Sequence, residues 1–384
     1  MLYGVTGTLN IADMAQRIGL IGLDDRGLLH AGAALLGLAF LAKAALWPLN
    51  FWLVPAYAAA SAPVAALFAI MTKVGIYAVL RLWTLFFPPG SGEAALFGAD
   101  VLVWGGLATL GFGAIGVLAS HRLSRLAGFS LIVSSGTLLA AIGFERVALT
   151  GGALFYLVSS TLAVSALFLL IELVERSRQN GGELALPEVA PEGTPFGVGM
   201  IDTPLPPADA NLDDLEHALV GQTIPAAMVF LGLSFMLCTL LITGLPPLSG
   251  FVAKFAMLSA LLDPAGMGIG VSAGASGAAP EIAAWVFLAL LIGSGLAAMI
   301  ALSRSGIRYF WAPQERPPPR LRVIECAPVV ALLLACAALM VGAGPALRYA
   351  RSAAESLHQP SRYIDAVMST RPVRLRATVK GAPS

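Results

Sequence analysis

Three lysines stand where a cation is costly. Lys43, Lys73 and Lys254 each lie inside a long hydrophobic run, and only one other lysine, Lys380, occurs in the chain. The other nineteen of the twenty-three basic residues are arginines, and each falls in a loop, a tail or at the end of a run. A guanidinium stays charged under any cellular condition, whereas an ammonium can give up its proton when desolvated. Placing lysines alone in the runs selects groups that titrate, and the chemistry this suggests is proton movement through a membrane.

The surroundings of each lysine sharpen that reading and supply its alternative. Lys43 precedes Pro48 in Leu41-Ala42-Lys43-Ala44-Ala45-Leu46-Trp47-Pro48. A proline there removes a backbone donor and kinks the helix, freeing carbonyls for water or an ammonium. The competing reading is that Lys43 snorkels to an interface, with Trp47 and Trp52 as an aromatic belt. Lys73 lies near the middle of its run beside Ala69, Thr72, Gly75 and Tyr77, a depth at which an ionised lysine costs about 2.5–3.5 kcal/mol. Lys254 follows Gly244-Leu245-Pro246-Pro247-Leu248-Ser249-Gly250-Phe251. Two prolines and flanking glycines predict a helix break at Pro246, Pro247 and Gly250, of the kind that exposes backbone dipoles to an ion. The alternative is a plain kink with Lys254 reaching a surface.

Hydroxyls come next. Ser130, Ser134, Ser135 and Thr137 fall in one run and Ser159, Ser160, Thr161 and Ser165 in the next. Such groups hold ordered water for proton hopping or serve in helix packing, and packing is the expectation for most of them. His121 opens a tight connection, His121-Arg122-Leu123-Ser124-Arg125, where it is either a relay or a solvated loop histidine. No acid falls at the centre of a run: Glu145, Glu172, Asp263 and Glu325 are all at or near the ends. A carboxylate partner for a buried lysine is therefore expected from another subunit or from a segment outside this sequence.

The elements that must hold these residues are membrane helices. Hydrophobic residues make up 58% and charged residues 12%, against about 25% charged in a soluble domain, and the mean hydropathy is +0.82. A net charge of +1 gives no basic footprint for nucleic acid. Cys238, Cys326 and Cys336 lie in or beside apolar runs without Cys-x-x-Cys spacing, and the four histidines are scattered, so neither metal nor redox cofactor is expected. Apolar stretches long enough to span fall near residues 28–47, 64–83, 101–120, 126–142, 151–174, 226–245, 283–302 and 327–341, with 248–262 continuing the sixth as a second half-helix. The predicted fold is an all-α, polytopic transmembrane bundle of about eight spans with broken helices.

Proline and glycine mark the loops. Residues 178–222, with six prolines and many acids, are expected to be a flexible linker. Loops 120–125, 175–222 and 303–322 together carry nine arginines, against four on the alternate side before the tail. The positive-inside rule makes the first side cytoplasmic. Seven basic residues in the tail oppose that assignment.

Two stretches carry a family resemblance. Trp47-Pro48-Leu49-Asn50-Phe51-Trp52-Leu53 with Thr72-Lys73-Val74-Gly75-Ile76-Tyr77, and Gly244 to Phe255, resemble the antiporter-like membrane subunits of respiratory complex I and of Mrp-type cation/proton antiporters. Leu2-Tyr3-Gly4-Val5-Thr6-Gly7-Thr8-Leu9-Asn10 and Tyr363-Ile364-Asp365-Ala366 look most like the D-type branch of the Mrp subunits.

The resemblance implies two inverted five-helix repeats, each with a broken helix. Residues 1–26 would then be the remnant of a preceding helix and loop, 27–100 the last two helices of the first repeat, and 101–303 the second repeat. Residues 304–345 would be a basic loop and last helix, and 346–384 the tail. It implies that Lys43 takes and releases the proton, Lys73 links the halves and Lys254 passes the proton onward. It also implies a transporter subunit of the bacterial inner membrane rather than an enzyme, with neighbouring membrane subunits, protons, Na+ or K+ and lipid as partners. A redox-driven proton pump subunit and a scaffold that does not transport are the rival readings. The chain departs from the family at Asn50 and Ser159, where many relatives carry histidine, and the helix with the family's essential glutamate is expected upstream of Met1.

Overall fold

The computed structural model describes residues 1–88, 97–182, 226–262, 282–311 and 321–369. Two short helices, α1 (Leu2–Thr6) and α2 (Ile11–Ile18), precede the first long one. Then follow α3 (Arg26–Lys43), α4 (Leu53–Ala59), α5 (Ala62–Phe86), α6 (Ala99–Ala119), α7 (Leu123–Gly143) and α8 (Val147–Gly182). The second half holds α9 (Ala226–Thr243), α10 (Ser249–Leu262), α11 (Ile282–Gly306), α12 (Val323–Val341), α13 (Ala343–Leu357) and α14 (Pro360–Met368). Eight of these are long and apolar enough to cross a bilayer, and α10 is a shorter apolar helix. The chain is a polytopic helical membrane protein.

The bundle is built around α7, whose spanning stretch is 94% buried, with α8 beside it. Glycine explains how α6 and α7 come so close. A Cβ on Gly106 would sit 2.3 Å from the Ala140 nitrogen, and one on Gly136 would sit 2.4 Å from the Leu110 nitrogen. Small residues let membrane helices touch backbone to backbone where lipid offers no hydrophobic drive. Gly136→Leu is therefore expected to lower stability by about 1–3 kcal/mol or more, measured as a fall in melting midpoint in detergent.

Successive spans alternate in direction. At one face the Arg304 guanidinium donates to the Leu118 and Ser120 carbonyls at 2.9 and 2.8 Å, and Arg176 bridges Glu172 at 2.9 Å and Glu325 at 2.6 Å. At the other face Arg146 donates to the Leu261 carbonyl at 3.3 Å. The broken pair α3–α4 thus runs toward the first face, and the broken pair α9–α10 runs away from it. Opposed breaks are what an inverted repeat requires.

One sequence expectation needs correction, at the end of α8. Helix α8 continues to Gly182, so residues 178–182 belong to it rather than to a linker. The Glu172–Arg176 pair at i,i+4 supports the turns that lead into this extension, and residues 183–222 lie outside the described ones. Within the segment expected to be a tail, the described residues 346–369 include most of α13 and all of α14. Helix α13 lays Ala350, Ala354 and Leu357 against α8, the Arg351 stem packs on Gly151, and His358 Nε2 lies 3.1 Å from Thr150 Oγ1. Helix α14 rests on α2, with the Arg81 guanidinium 4.2 Å over the Tyr363 ring. Burial lowers the pKa of His358.

Glu145, in the α7–α8 connection, has φ +52°, and burial raises its carboxyl pKa to about 7. An acid with a raised folded pKa is stabilising while protonated. Between the unfolded value near 4.5 and about 7, the native state holds a proton that the unfolded chain has released, so stability falls as pH rises. Glu145→Gln is expected to remove that slope and to melt higher than the parent at pH 8, checked by thermal melts across the window.

Candidate functional site: two helix breaks and a hydroxyl-lined cavity

The two breaks align residue by residue. Each first half-helix ends in a left-handed residue, Ala45 at φ +59° and Gly244 at φ +77°. A leucine amide then reaches back five residues, Leu46 to the Leu41 carbonyl and Leu245 to that of Leu240, at 3.0 and 3.1 Å. Three residues after the left-handed position come Pro48 and Pro247, then Leu49 and Leu248, Asn50 and Ser249, and, two further on, Trp52 and Phe251. In this register Lys43 stands before its break and Lys254 after its own.

That difference decides what each amine touches. Lys254 is 8% exposed, and its Nζ donates to the carbonyls of Thr243 at 2.8 Å and Ile242 at 3.3 Å. It therefore satisfies two of the carbonyls that a helix end leaves without partners. Gly250 makes this possible, because a Cβ there would sit 2.0 Å from the Leu241 oxygen. Lys43 is half-buried, with its stem against Gly75, and makes no hydrogen bond or ion pair among the described residues. At this first break it is the Ala42 carbonyl, in register with Leu241, that is capped, by the Trp52 indole N–H at 3.1 Å. Trp47 is exposed and its backbone N–H donates to Thr109 Oγ1 at 2.8 Å. Trp52 thus helps hold the break as well as lying near its surface.

Lys73 is 2% exposed at the middle of α5. Its Nζ donates to Ser134 Oγ of α7 at 2.5 Å, and that hydroxyl donates onward to the Leu131 carbonyl at 2.8 Å. The neighbouring Thr72 Oγ1 lies 2.7 Å from Tyr57 Oη of α4. Other hydroxyls of α7 bond back to their own helix, Ser130 to the Leu126 carbonyl and Thr137 to that of Val133, each at 2.9 Å, as expected of packing groups.

One small cavity is lined by Lys254 and by Ser134, the hydroxyl to which Lys73 donates. It is lined by Ser130, Ser134, Tyr156, Ser159, Ser294 and Lys254, among others, and leaves about 20 Å³ for water centres, room for about one water. Ser134 carries it to Lys73. On its wall Ser159 and Ser249 pair, Oγ to Oγ, at 2.9 Å. Lys43 lies outside the cavity lining, and His121 is exposed at the α6–α7 connection. The structure brings together Lys73, Ser134, Ser159 and Lys254, and leaves the other two apart. Sequence reasoning missed the roles of Trp52, Thr109 and Ser249. The aromatic residue four positions after each break proline was the available signal for the first.

No group of three or more metal-ligating side chains occurs among the described residues. Buried amines, hydroxyls and one water-sized space can hold and pass a proton; they offer no oxygen cage for a cation.

Comparison with known proteins gives the same family. Residues 1–186 match the model described as NADH:quinone oxidoreductase/Mrp antiporter, transmembrane. The chain is 49% identical over 369 residues to the D subunit of a probable K(+)/H(+) antiporter of Rhizobium meliloti, covering 96% of this chain and 64% of that one. It is 31% identical to the D subunit of a Na(+)/H(+) antiporter of Bacillus subtilis, covering 96% and 63%. The chain thus spans a little under two thirds of these relatives. Among solved structures it is similar to a chain of the Mrp complex from Dietzia sp. DQ12-45-1b, with TM-score 0.68, 21% identity and coverage of 96% and 66%. That likeness speaks to the fold alone. Matched in sequence from α1 through α8 and in fold through both breaks, the chain belongs to the NADH:quinone oxidoreductase/Mrp antiporter family of transmembrane subunits.

Proposed function

We propose that this chain is the D-type membrane subunit of a bacterial K+/H+ or Na+/H+ antiporter complex, in which Lys43, Lys73 and Lys254 carry the proton. The observation that supports it best is a cavity lined both by Ser134, the hydroxyl that binds Lys73, and by Lys254. Neither amine has a carboxylate partner among the described residues. Each relies on neutral oxygens, so its charge is not locked by an ion pair. A water in the cavity completes a hydrogen-bonded line from Lys73 through Ser134 to Lys254. Lys43 stands at the other break as the residue that takes and releases the proton, with Lys73 linking the two halves. The bilayer is the bacterial plasma membrane, with the arginine-rich face inside. The remaining partners are the other membrane subunits of the complex.

The division of the chain follows: residues 27–100 close the first repeat and 101–303 form the second. The identity to a K(+)/H(+) relative makes K+ the first cation to try. The test uses vesicles holding the whole complex with a pH-sensitive dye inside. A K+ or Na+ pulse is expected to move protons with no electron donor present. Proton movement only when a reductant is supplied would replace this reading with the redox-driven pump.

A further inference from the structure

The two breaks share a backbone path but not a cap. At the first, the Ala42 carbonyl is held by the indole of Trp52, a donor that does not titrate. At the second, the residue in register with Trp52 is Phe251, which has no side-chain N–H, and the ammonium of Lys254 instead holds the carbonyls of Ile242 and Thr243, the two that follow Leu241, the match to Ala42. We propose that Lys254 is a charge-dependent cap of α9, so that losing its proton loosens the α9–α10 break, whereas Trp52 is the positioning residue that keeps the α3–α4 break closed in either protonation state of Lys43.

The physical basis is the helix end. Exposed carbonyls at a C-terminus carry partial negative charge and attract a cation. A charge-assisted hydrogen bond is roughly twice as strong as a neutral one. A neutral amine still donates, but without the attraction that folds the Lys254 side chain back over the break. The register explains why Lys43 does not do the same. It belongs to the half-helix that ends at the break, so its stem runs onto Gly75 of α5, whereas Lys254 sits in the following half-helix and reaches across.

There is space for the loosened state. A side-opening groove of about 310 Å³ lies against Thr243, Gly244, Phe251, Lys254 and Gly295. Apart from Lys254, no charged side chain lines either this groove or the cavity on the other side, and Tyr156 is the one other titratable group. Proton departure from Lys254 would thereby be tied to movement of α10, to which Ser249 and its partner Ser159 are also attached.

The proposal rests on Lys254 as a proton carrier, and its test reads the break instead of transport. Amide hydrogen exchange is measured on the whole complex over residues 241–253 and 41–54. Lys254→Met is expected to speed exchange at the second break roughly tenfold or more, and Lys254→Arg, permanently charged, to leave it protected. Trp52→Phe should open the first break, and Lys43→Met should not.

The decisive variant is Phe251→Trp in the Lys254→Met background. It restores an indole in the register of Trp52, placed for the Leu241 carbonyl at the same end of α9, and is expected to recover protection without recovering antiport. Unchanged exchange in Lys254→Met, or a Lys43→Met effect as large as that of Trp52→Phe, would overturn the proposal. If Lys254→Met does not assemble, the rescued double variant and the two first-break variants still decide it. Loss of antiport in Lys254→Arg with the break protected would separate proton carriage from capping.

Discussion

Lys73→Ala is expected to reduce cation-driven proton exchange by about 10²-fold or more, to the level of vesicles without the complex. Lys73 donates to one hydroxyl and is 2% exposed, so alanine removes the only amine at the Ser134 end of the cavity and leaves Ser134 without its donor. Lys73→Arg is not expected to rescue, because a guanidinium keeps its proton. Dye dequenching after a K+ or Na+ pulse, alongside a native gel showing that the complex still assembles, separates lost transport from lost protein. Exchange at the parent rate in Lys73→Ala would remove this residue from the path.

Gly250→Ala is expected to have an effect of the same order through geometry alone. The added methyl would lie 2.0 Å from the Leu241 oxygen, well inside van der Waals contact, and neither the methyl, fixed to Cα, nor the backbone oxygen can swing away. Helix α10 must shift by roughly 1 Å, taking Ser249 from Ser159 and Lys254 from its two carbonyls. A displacement of that size costs about 10²-fold where groups must meet in register. Gly293 is the control. It lies on α11 with nothing near its Cβ position, so Gly293→Ala is expected to exchange at the parent rate.

These two residues differ in how far the sequence revealed them. Lys73 was visible as a cation in the middle of an apolar run, where few structural roles exist for it. Gly250 was visible as part of a break, but not as the residue whose missing side chain lets α10 approach the end of α9. Hydropathy located the spans because about twenty apolar residues in succession have few other fates in water. It did not locate α13 and α14, which place apolar residues on one stripe only and therefore read as a polar tail.

The hydroxyls show the same divide. Ser130 and Thr137 behave as packing groups, as expected, while Ser134, on the same helix, receives Lys73. The sequence cannot distinguish them, since the choice depends on which face of α7 meets α5. The sequence offers Trp52 as part of an aromatic belt, and its indole contact with Ala42 depends on the three-dimensional turn between them. His121 shows the reverse. Its type allows a relay or a solvated loop histidine, and the fold puts it on the exposed α6–α7 connection, as the second reading has it.

The central claim is that protons cross between Lys73 and Lys254 through the hydroxyl-lined cavity. It is tested most directly by filling that cavity without touching either lysine. Ser159→Leu places a larger apolar side chain in the water-sized space, and Ser159→Ala serves as the control that removes only the hydroxyl. In vesicles containing the assembled complex, a cation pulse is expected to drive proton exchange at least about tenfold more slowly in Ser159→Leu than in Ser159→Ala. Equal rates in the two variants, with assembly intact in both, would contradict a route through this cavity.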